Sequence, residues 1–176
     1  AYTSGFGFPS DVLFDMERAS RVLSNKWFFV GTRCDVPAPR DFFTFEVLGD
    51  EFMLLHGSDG VIRCFVNRCA HQSARVLKQE TGTCAASLVC PNHQWSYHLN
   101  SGALRAAPMM GRTFMESDVA ERSRLTEISL HEVAGMLFAC LDHDADPTDM
   151  NEVGSIIGPY TDPFALEAGG YKLAHH

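Results

Sequence analysis

The chain has 176 residues, of which 45% are apolar and 13 are phenylalanine, enough to fill the core of one domain. Its formal net charge of −8 at pH 7 argues against a nucleic-acid partner, because no basic stripe is available to neutralise phosphates. The apolar runs are only a few residues long, so no segment is expected to span a membrane, and the N-terminus does not resemble a secretory signal.

Residues 10–24 are predicted to form a helix. Ser10 can cap its N-terminus, and Asp11 is favourable in the first turn because the helix dipole attracts negative charge there. Apolar side chains then recur at helical spacing, at Val12, Leu13, Met16, Ala19 and Leu23. We therefore expect residues 1–26 to form an N-terminal helical segment.

After residue 26 the pattern changes to short apolar or aromatic runs separated by turn residues, which is typical of β-strands. The predicted strands occupy residues 27–30, 42–48, 52–55 and 61–66, and later residues 125–130 and 133–141. The sequence Gly57-Ser58-Asp59-Gly60 predicts a tight hairpin between the third and fourth strands. The chain is thus expected to be mostly β beyond its N-terminal segment.

Two stretches interrupt this strand pattern. Residues 108–124 are predicted to form a surface loop with little to fix its conformation, because they join Met109-Met110-Gly111 to a polar run. Residues 142–147 predict a domain boundary, because aspartates and a proline end the apolar pattern abruptly. We expect one domain over residues 27–145, followed over residues 146–176 by a linker and the start of a truncated second domain.

Two short segments, which we call arm one (residues 69–71) and arm two (residues 90–93), predict a metal site. Each arm offers one cysteine and one histidine, as C-x-H and C-x-x-H, with 18 residues between the arms. Zinc sites of mixed ligands usually pair cysteine with cysteine and histidine with histidine along the chain. A Rieske [2Fe-2S] centre instead needs two thiolates on one iron and two imidazoles on the other. The mixed arms favour the Rieske centre over zinc.

The other cysteines are expected to be free thiols. Six cysteines could form three disulfides in a secreted protein, but this chain is long enough to build a core without them. Two of the six already belong to the arms. We therefore predict unpaired thiols in a reducing cytoplasm at Cys34, Cys64, Cys84 and Cys140.

The sequences NRCAHQSARV (residues 67–76) and CPNHQWSY (residues 90–97) resemble the N-terminal Rieske domain of Rieske non-haem iron oxygenase α subunits, the ring-hydroxylating oxygenase family. The resemblance implies a Rieske iron-sulfur fold, an antiparallel β-sandwich with a cluster-binding subdomain, here preceded by the N-terminal helix. It also implies that the cluster is bound by Cys69, His71, Cys90 and His93, and shielded by Trp95.

Several residues depart from the pattern of this family. Gln72-Ser73 stands where His is usually followed by Arg-Gly, and Asn92 stands where Tyr is common. The sequence His93-Gln94-Trp95 is similar to members that act on quaternary ammonium compounds, while an aromatic substrate remains equally open. The respiratory branch of Rieske proteins has a Ser at the position of Trp95 that donates to the cluster, so its absence predicts a lower potential.

The resemblance implies that the cluster passes electrons from a reductase or ferredoxin to a mononuclear Fe(II) in a catalytic domain. In the family that iron belongs to a neighbouring subunit of a homotrimer and is reached through the histidine that matches His93. Such an iron needs two histidines and a carboxylate, which His131, His143, His175 and His176 do not supply. The oxygen-activating site is therefore expected outside these residues. The alternatives are a stand-alone Rieske ferredoxin and a structural zinc protein.

Overall fold

The computed structural model describes residues 26–47, 49–142 and 145–161. The helix predicted over residues 10–24 lies outside them. The strands are β1 (Phe28–Thr32), β2 (Asp41–Val47), β3 (Asp50–His56), β4 (Ile62–Val66), β5 (Thr81–Thr83), β6 (Leu88–Val89), β7 (Ser96–Tyr97), β8 (Leu104–Ala106), β9 (Glu127–Val133) and β10 (Met136–Cys140). The helices are α1 (Gly111–Met115), α2 (Asp118–Arg122) and α3 (Thr148–Thr161), with a 3-10 turn at Arg33–Asp35.

The strands form two antiparallel sheets. The larger has seven strands in the order β1-β10-β9-β4-β3-β2-β5, and the smaller has three in the order β6-β7-β8. Neighbouring strands pair antiparallel in both sheets. The prediction of a mostly β chain with antiparallel sheets is confirmed, and the six predicted strands match β1, β2, β3, β4, β9 and β10.

Strand β3 is buried on both faces and separates two cores. Because successive side chains of a strand point to opposite faces, Phe52 and Leu54 enter one core and Met53 and Leu55 enter the other. The first, which we call the sheet core, packs β3 against β1, β4, β9 and β10. The second, the arm core, contains Cys69, Cys90, Trp95, Tyr97 and their neighbours. The cysteines of both arms therefore share a core with the central strand.

Residues 108–124 are not the surface loop that the sequence predicts. They form α1 and α2, whose chain turns at Ser117, where the Ala120 N–H is 3.4 Å from the Ser117 hydroxyl that caps α2. Phe114 and Met115 pack against the arm core, and Ala120 is buried. Helices this short depend on tertiary packing rather than on intrinsic propensity, so the polar sequence alone does not reveal them.

Helix α3 lies on the β domain. The Trp27 indole N–H donates to the Asp146 carbonyl oxygen at 3.2 Å, which ties the residues before α3 to the start of β1. Met150 is buried, and Gly154 lies so close to β9 that an added Cβ would be 2.9 Å from Val133 Cγ1. Among the described residues, no helix is both long and apolar enough to cross a membrane.

Candidate metal centre

Both arms are built on the same main-chain turn. Arm one follows β4, and arm two lies between β6 and β7. In each arm the cysteine N–H donates to the carbonyl five residues later, and the residue four positions later donates back to the cysteine carbonyl. These bonds are Cys69 to Ala74 and Ser73 to Cys69 in arm one, and Cys90 to Trp95 and Gln94 to Cys90 in arm two, all of 2.8 to 3.0 Å.

Each turn contains a residue in the left-handed region of backbone space. Ser73 has φ of 55° and Gln94 has φ of 60°, and they occupy equivalent places four residues after their cysteines. Residues with a Cβ rarely adopt this conformation, which glycine adopts freely. Ser73 and Gln94 are therefore positions of backbone strain.

The two cysteines come together although 20 residues separate them. Cys69 and Cys90 are 3% and 1% exposed, and their thiols are close enough to interact. Burial raises the pKa of the Cys69 thiol and the neighbouring Cys90 thiol acts in the same direction, while hydrogen bonds from Tyr97 and the His71 backbone oppose the rise. A metal that replaces the proton would relieve this cost, because thiolates are the form that binds metals.

The two histidines also come together. The ring centroids of His71 and His93 are 4.6 Å apart, with the ring planes at 82°. His93 is exposed, whereas His71 is half-buried beneath Trp95, whose indole stacks on the imidazole at 4.6 Å and 13°. The Nδ1 atom of His71 is buried and has no hydrogen-bond partner. A buried nitrogen without a partner is costly, and a metal ion would satisfy it.

Tyr97, which is absent from the site predicted from the sequence, contacts the thiol of arm one. Its hydroxyl lies 3.0 Å from Cys69 Sγ and accepts a hydrogen bond of 3.0 Å from the Ala70 N–H. Since the oxygen accepts from the backbone, the hydroxyl proton is free to point at the sulfur. Burial raises the pKa of Tyr97, with the Cys69 contact as the next cause, so the hydroxyl stays protonated. The only signal in the sequence is a tyrosine on the strand leaving arm two.

Asn67 fastens the base of arm one and is likewise not among the predicted site residues. It is 1% exposed, and its side-chain oxygen accepts hydrogen bonds from the Val76 N–H at 3.2 Å and the Leu77 N–H at 2.9 Å. Its amide group donates to the Leu77 carbonyl at 2.8 Å. One side chain thus joins the segment before arm one to the segment that follows its turn. Ion pairs add to it on the surface, between Arg68 and Asp50 and between Arg75 and Glu51.

The structure brings all five predicted site residues into one place, with like ligands paired. The thiols face each other in the arm core, and the imidazoles meet at its surface beside a cavity of about 350 Å³. Within residues 26–47, 49–142 and 145–161, no group of three or more His, Cys, Asp or Glu side chains is placed to hold a single ion. Pairs suit a two-iron cluster, in which each iron takes two protein ligands.

Among the described residues, no side chain outside the arms joins them in a second metal centre. Cys34, Cys64, Cys84 and Cys140 are buried and are not joined in disulfides. Burial raises the pKa of Cys84 to about 11, so this thiol is protonated near neutral pH. His131 packs edge-on against Trp27, with ring centroids 6.0 Å apart.

Comparison with known proteins identifies the family of the domain that contains both arms. The Rieske [2Fe-2S] domain family matches residues 26–129, more than half of the chain. A glycine betaine monooxygenase oxygenase subunit from Chromohalobacter salexigens is 29% identical over 146 residues, which cover 83% of this chain and 31% of that protein. The large oxygenase component of a naphthalene 1,2-dioxygenase system from Pseudomonas fluorescens is 29% identical over 153 residues, covering 86% and 33%. The chain spans about a third of the length of these relatives.

Solved structures show the same fold. A quaternary ammonium Rieske monooxygenase, described for carnitine oxidation and inter-subunit electron transfer, superposes with a TM-score of 0.74 at 25% identity, covering 85% of this chain and 40% of that one. Naphthalene 1,2-dioxygenase superposes with a TM-score of 0.74 at 28% identity, covering 93% and 36%. With the paired thiols and imidazoles of the two arms, these matches show that the chain belongs to the Rieske [2Fe-2S] domain family, as a Rieske domain of the oxygenase α-subunit type.

Proposed function

We propose that Cys69 and Cys90 bind one iron of a [2Fe-2S] cluster and that His71 and His93 bind the other. The domain then relays single electrons from a reductase or ferredoxin to a mononuclear non-haem iron outside this chain. The observation that carries the proposal is the sorting of ligands: each arm mixes a thiol and an imidazole, yet in space thiol meets thiol and imidazole meets imidazole. The buried, unpartnered Nδ1 of His71 supports it.

The surroundings of the arms suit electron transfer. A cluster held by these four residues would supply one-electron chemistry, and the neutral imidazoles of His71 and His93 would leave their iron more positive than the thiolates leave theirs, which favours the added electron on the histidine side. The exposed His93 ring gives a path from that iron to a partner, while the arm core keeps water from the thiolate side. The Tyr97 hydroxyl lies 3.0 Å from the Cys69 sulfur. A metal-bound thiolate can only accept, so the hydroxyl would donate to it and favour added negative charge there.

The reaction that we propose for the parent protein is O2-dependent hydroxylation or demethylation of a quaternary ammonium or aromatic substrate. Relatives named for glycine betaine and carnitine, together with the sequence His93-Gln94-Trp95, support the first class. Relatives named for naphthalene support the second. We further propose that the parent protein is a cytoplasmic homotrimer. Incubating it with its reductase, O2 and either glycine betaine or naphthalene, then measuring product, would separate the two classes.

The cluster is tested by spectroscopy and metal analysis on the chain itself. We expect a brown protein with two irons per chain and a rhombic EPR signal after reduction. Cys90→Ala should abolish the signal, whereas Cys84→Ala, which removes another buried thiol of the arm core, should retain it. A colourless protein that carries zinc would contradict the proposal.

An independent measurement separates the oxygenase component from a stand-alone ferredoxin. The two differ in the length of the native gene product, since only the oxygenase component needs a catalytic domain. A native product near 19.5 kDa, the mass of this chain, would contradict the oxygenase assignment and leave the electron carrier.

A further inference from the structure

The ring of His71 lacks the polar partner that usually orients a ligand histidine. Such a histidine almost always donates its second ring N–H to a carboxylate, a carbonyl or water, which fixes the ring plane. The buried Nδ1 is the nitrogen that would bind iron, so the second nitrogen is Nε2, and in the part of the chain that the structure describes no hydrogen bond reaches it. Its ring contacts are with Trp95 and His93. Its orientation must therefore come from these contacts.

The contact with Trp95 can fix a plane. The indole and the imidazole are nearly parallel, at 13°, with centroids 4.6 Å apart, which is within the range for offset stacking. The contact with His93 is edge-on, at 82°, and His93 is itself exposed, so it offers no rigid support. Among the described residues, the buried indole of Trp95 is the flat surface that stacks on the His71 ring.

Trp95 is in turn held in place from two sides. It is 4% exposed, and its carbonyl accepts the hydrogen bond from Cys90 that closes arm two. Phe114 of α1 contacts the indole at 5.5 Å and 51°, and α1 packs against the arm core through Phe114 and Met115. The residues predicted as a loop thus form a helix that braces the indole.

We infer that Trp95, braced by Phe114, is a positioning residue that sets the ring plane of His71 for iron. The inference rests on the proposed function and goes beyond a shielding role, because an aliphatic side chain could exclude water as well. The two ligand histidines then have different roles. His71 is fixed from within the domain, whereas His93 is left free to contact a partner.

A series of variants tests whether Trp95 orients His71 through its flat ring or only fills space beside it. Trp95→Leu keeps an apolar side chain but removes the ring, and Trp95→Phe keeps a ring. Phe114→Leu leaves the indole but weakens its support. The matched control is Phe52→Leu, which removes a buried ring from the sheet core, on the other face of β3.

The measurement is pulsed EPR on the reduced, cluster-loaded chain labelled with 15N-histidine, which reads the coupling of each ligand nitrogen to the iron spin. We expect two narrow couplings in the unsubstituted chain. Trp95→Leu should shift or broaden one of them, Trp95→Phe should largely restore it, and Phe114→Leu should broaden it to a smaller extent. Phe52→Leu should leave both couplings unchanged.

Two results would overturn the inference. One is a Trp95→Leu chain whose cluster shows both couplings unchanged, since Trp95 would then act only as bulk. If the Trp95→Leu chain does not retain its cluster, the Phe114→Leu chain provides the test. Unchanged nitrogen couplings in Phe114→Leu would also contradict a positioning role for Trp95. If the chain without substitutions shows no Rieske EPR signal at all, that result would instead contradict the proposed function.

Discussion

The Tyr97 hydroxyl and the Cys69 thiol lie 3.0 Å apart, across 28 residues of sequence. The hydroxyl oxygen already accepts from the Ala70 N–H, so its proton is free to point at the sulfur. A sulfur that receives a hydrogen bond tolerates added negative charge better, which raises a cluster's reduction potential. The absence of a donor at Trp95 is thus only part of what sets the potential, because Tyr97 supplies a donor.

Replacing Tyr97 with phenylalanine should therefore lower the reduction potential. The change removes the hydroxyl but keeps the ring that fills the arm core. A hydrogen bond to a charged group contributes about 1.5–3 kcal/mol, and only part of that differs between oxidation states, so we expect a fall of about 50 mV. Protein-film voltammetry would measure it. Ser96→Ala, on the neighbouring residue of β7, should leave the potential unchanged, and an unchanged potential in Tyr97→Phe would show that the hydroxyl does not donate to the sulfur.

Glycine at the two strained turn positions should stabilise the domain. Ser73 and Gln94 have φ of 55° and 60°. Glycine adopts this region without steric cost, and after allowing for its greater freedom when unfolded, each change should add about 0.5–1 kcal/mol to the free energy of unfolding. Thermal or denaturant unfolding would measure the gain.

The control for this pair is Gln72→Gly, next to Ser73 in the same turn, where φ is not positive. It should lower stability by a few tenths to about 1 kcal/mol, because glycine only adds freedom to the unfolded chain. Equal effects at Gln72 and Ser73 would mean that the turn carries no strain at Ser73.

Removing the Asn67 side chain should be strongly destabilising. Asn67→Ala leaves the Val76 and Leu77 amides and the Leu77 carbonyl without their partner in a buried place, at a cost of about 3 kcal/mol. Cluster content per chain should fall as well, because arm one loses its fastening. Asn100→Ala, which removes more exposed bonds to Ser58, should cost about 1 kcal/mol. Similar losses from both variants would contradict the role given to Asn67.

Two glycines of α3 should respond differently to alanine. At Gly158 an added Cβ meets nothing within 4 Å beyond its chain neighbours, but Pro159 follows and disfavours a helical residue with a Cβ before it, so the helix-propensity gain of Gly158→Ala should be largely cancelled. At Gly154 the added Cβ would be 2.9 Å from Val133 Cγ1, so Gly154→Ala should be the more destabilising change, by about 1 kcal/mol. Unfolding of both variants tests whether α3 packs on β9. Equal effects at both positions would show that it does not.

The strands and the ligands were accessible from the sequence because their signals are local. The run Phe52-Met53-Leu54-Leu55 indicates a strand buried on both faces. The arms are recognised by the close spacing of cysteine and histidine in each. Nothing comparable marks the residues that act across the fold. Phe114 belongs to a polar stretch and becomes part of a helix only through packing near Trp95, and Tyr97 meets Cys69 only once β7 lies beside arm one.

The shared turn of the two arms has a consequence for how a ligand set can be altered. Its four hydrogen bonds are made by main-chain atoms only, and the ligand histidine comes two residues after the cysteine in arm one but three residues after it in arm two. The main-chain turn is the same in both arms, whereas the position of the ligand side chain on it differs. Cysteine in place of either histidine would therefore change the chemistry of the centre without rebuilding the loop that carries it.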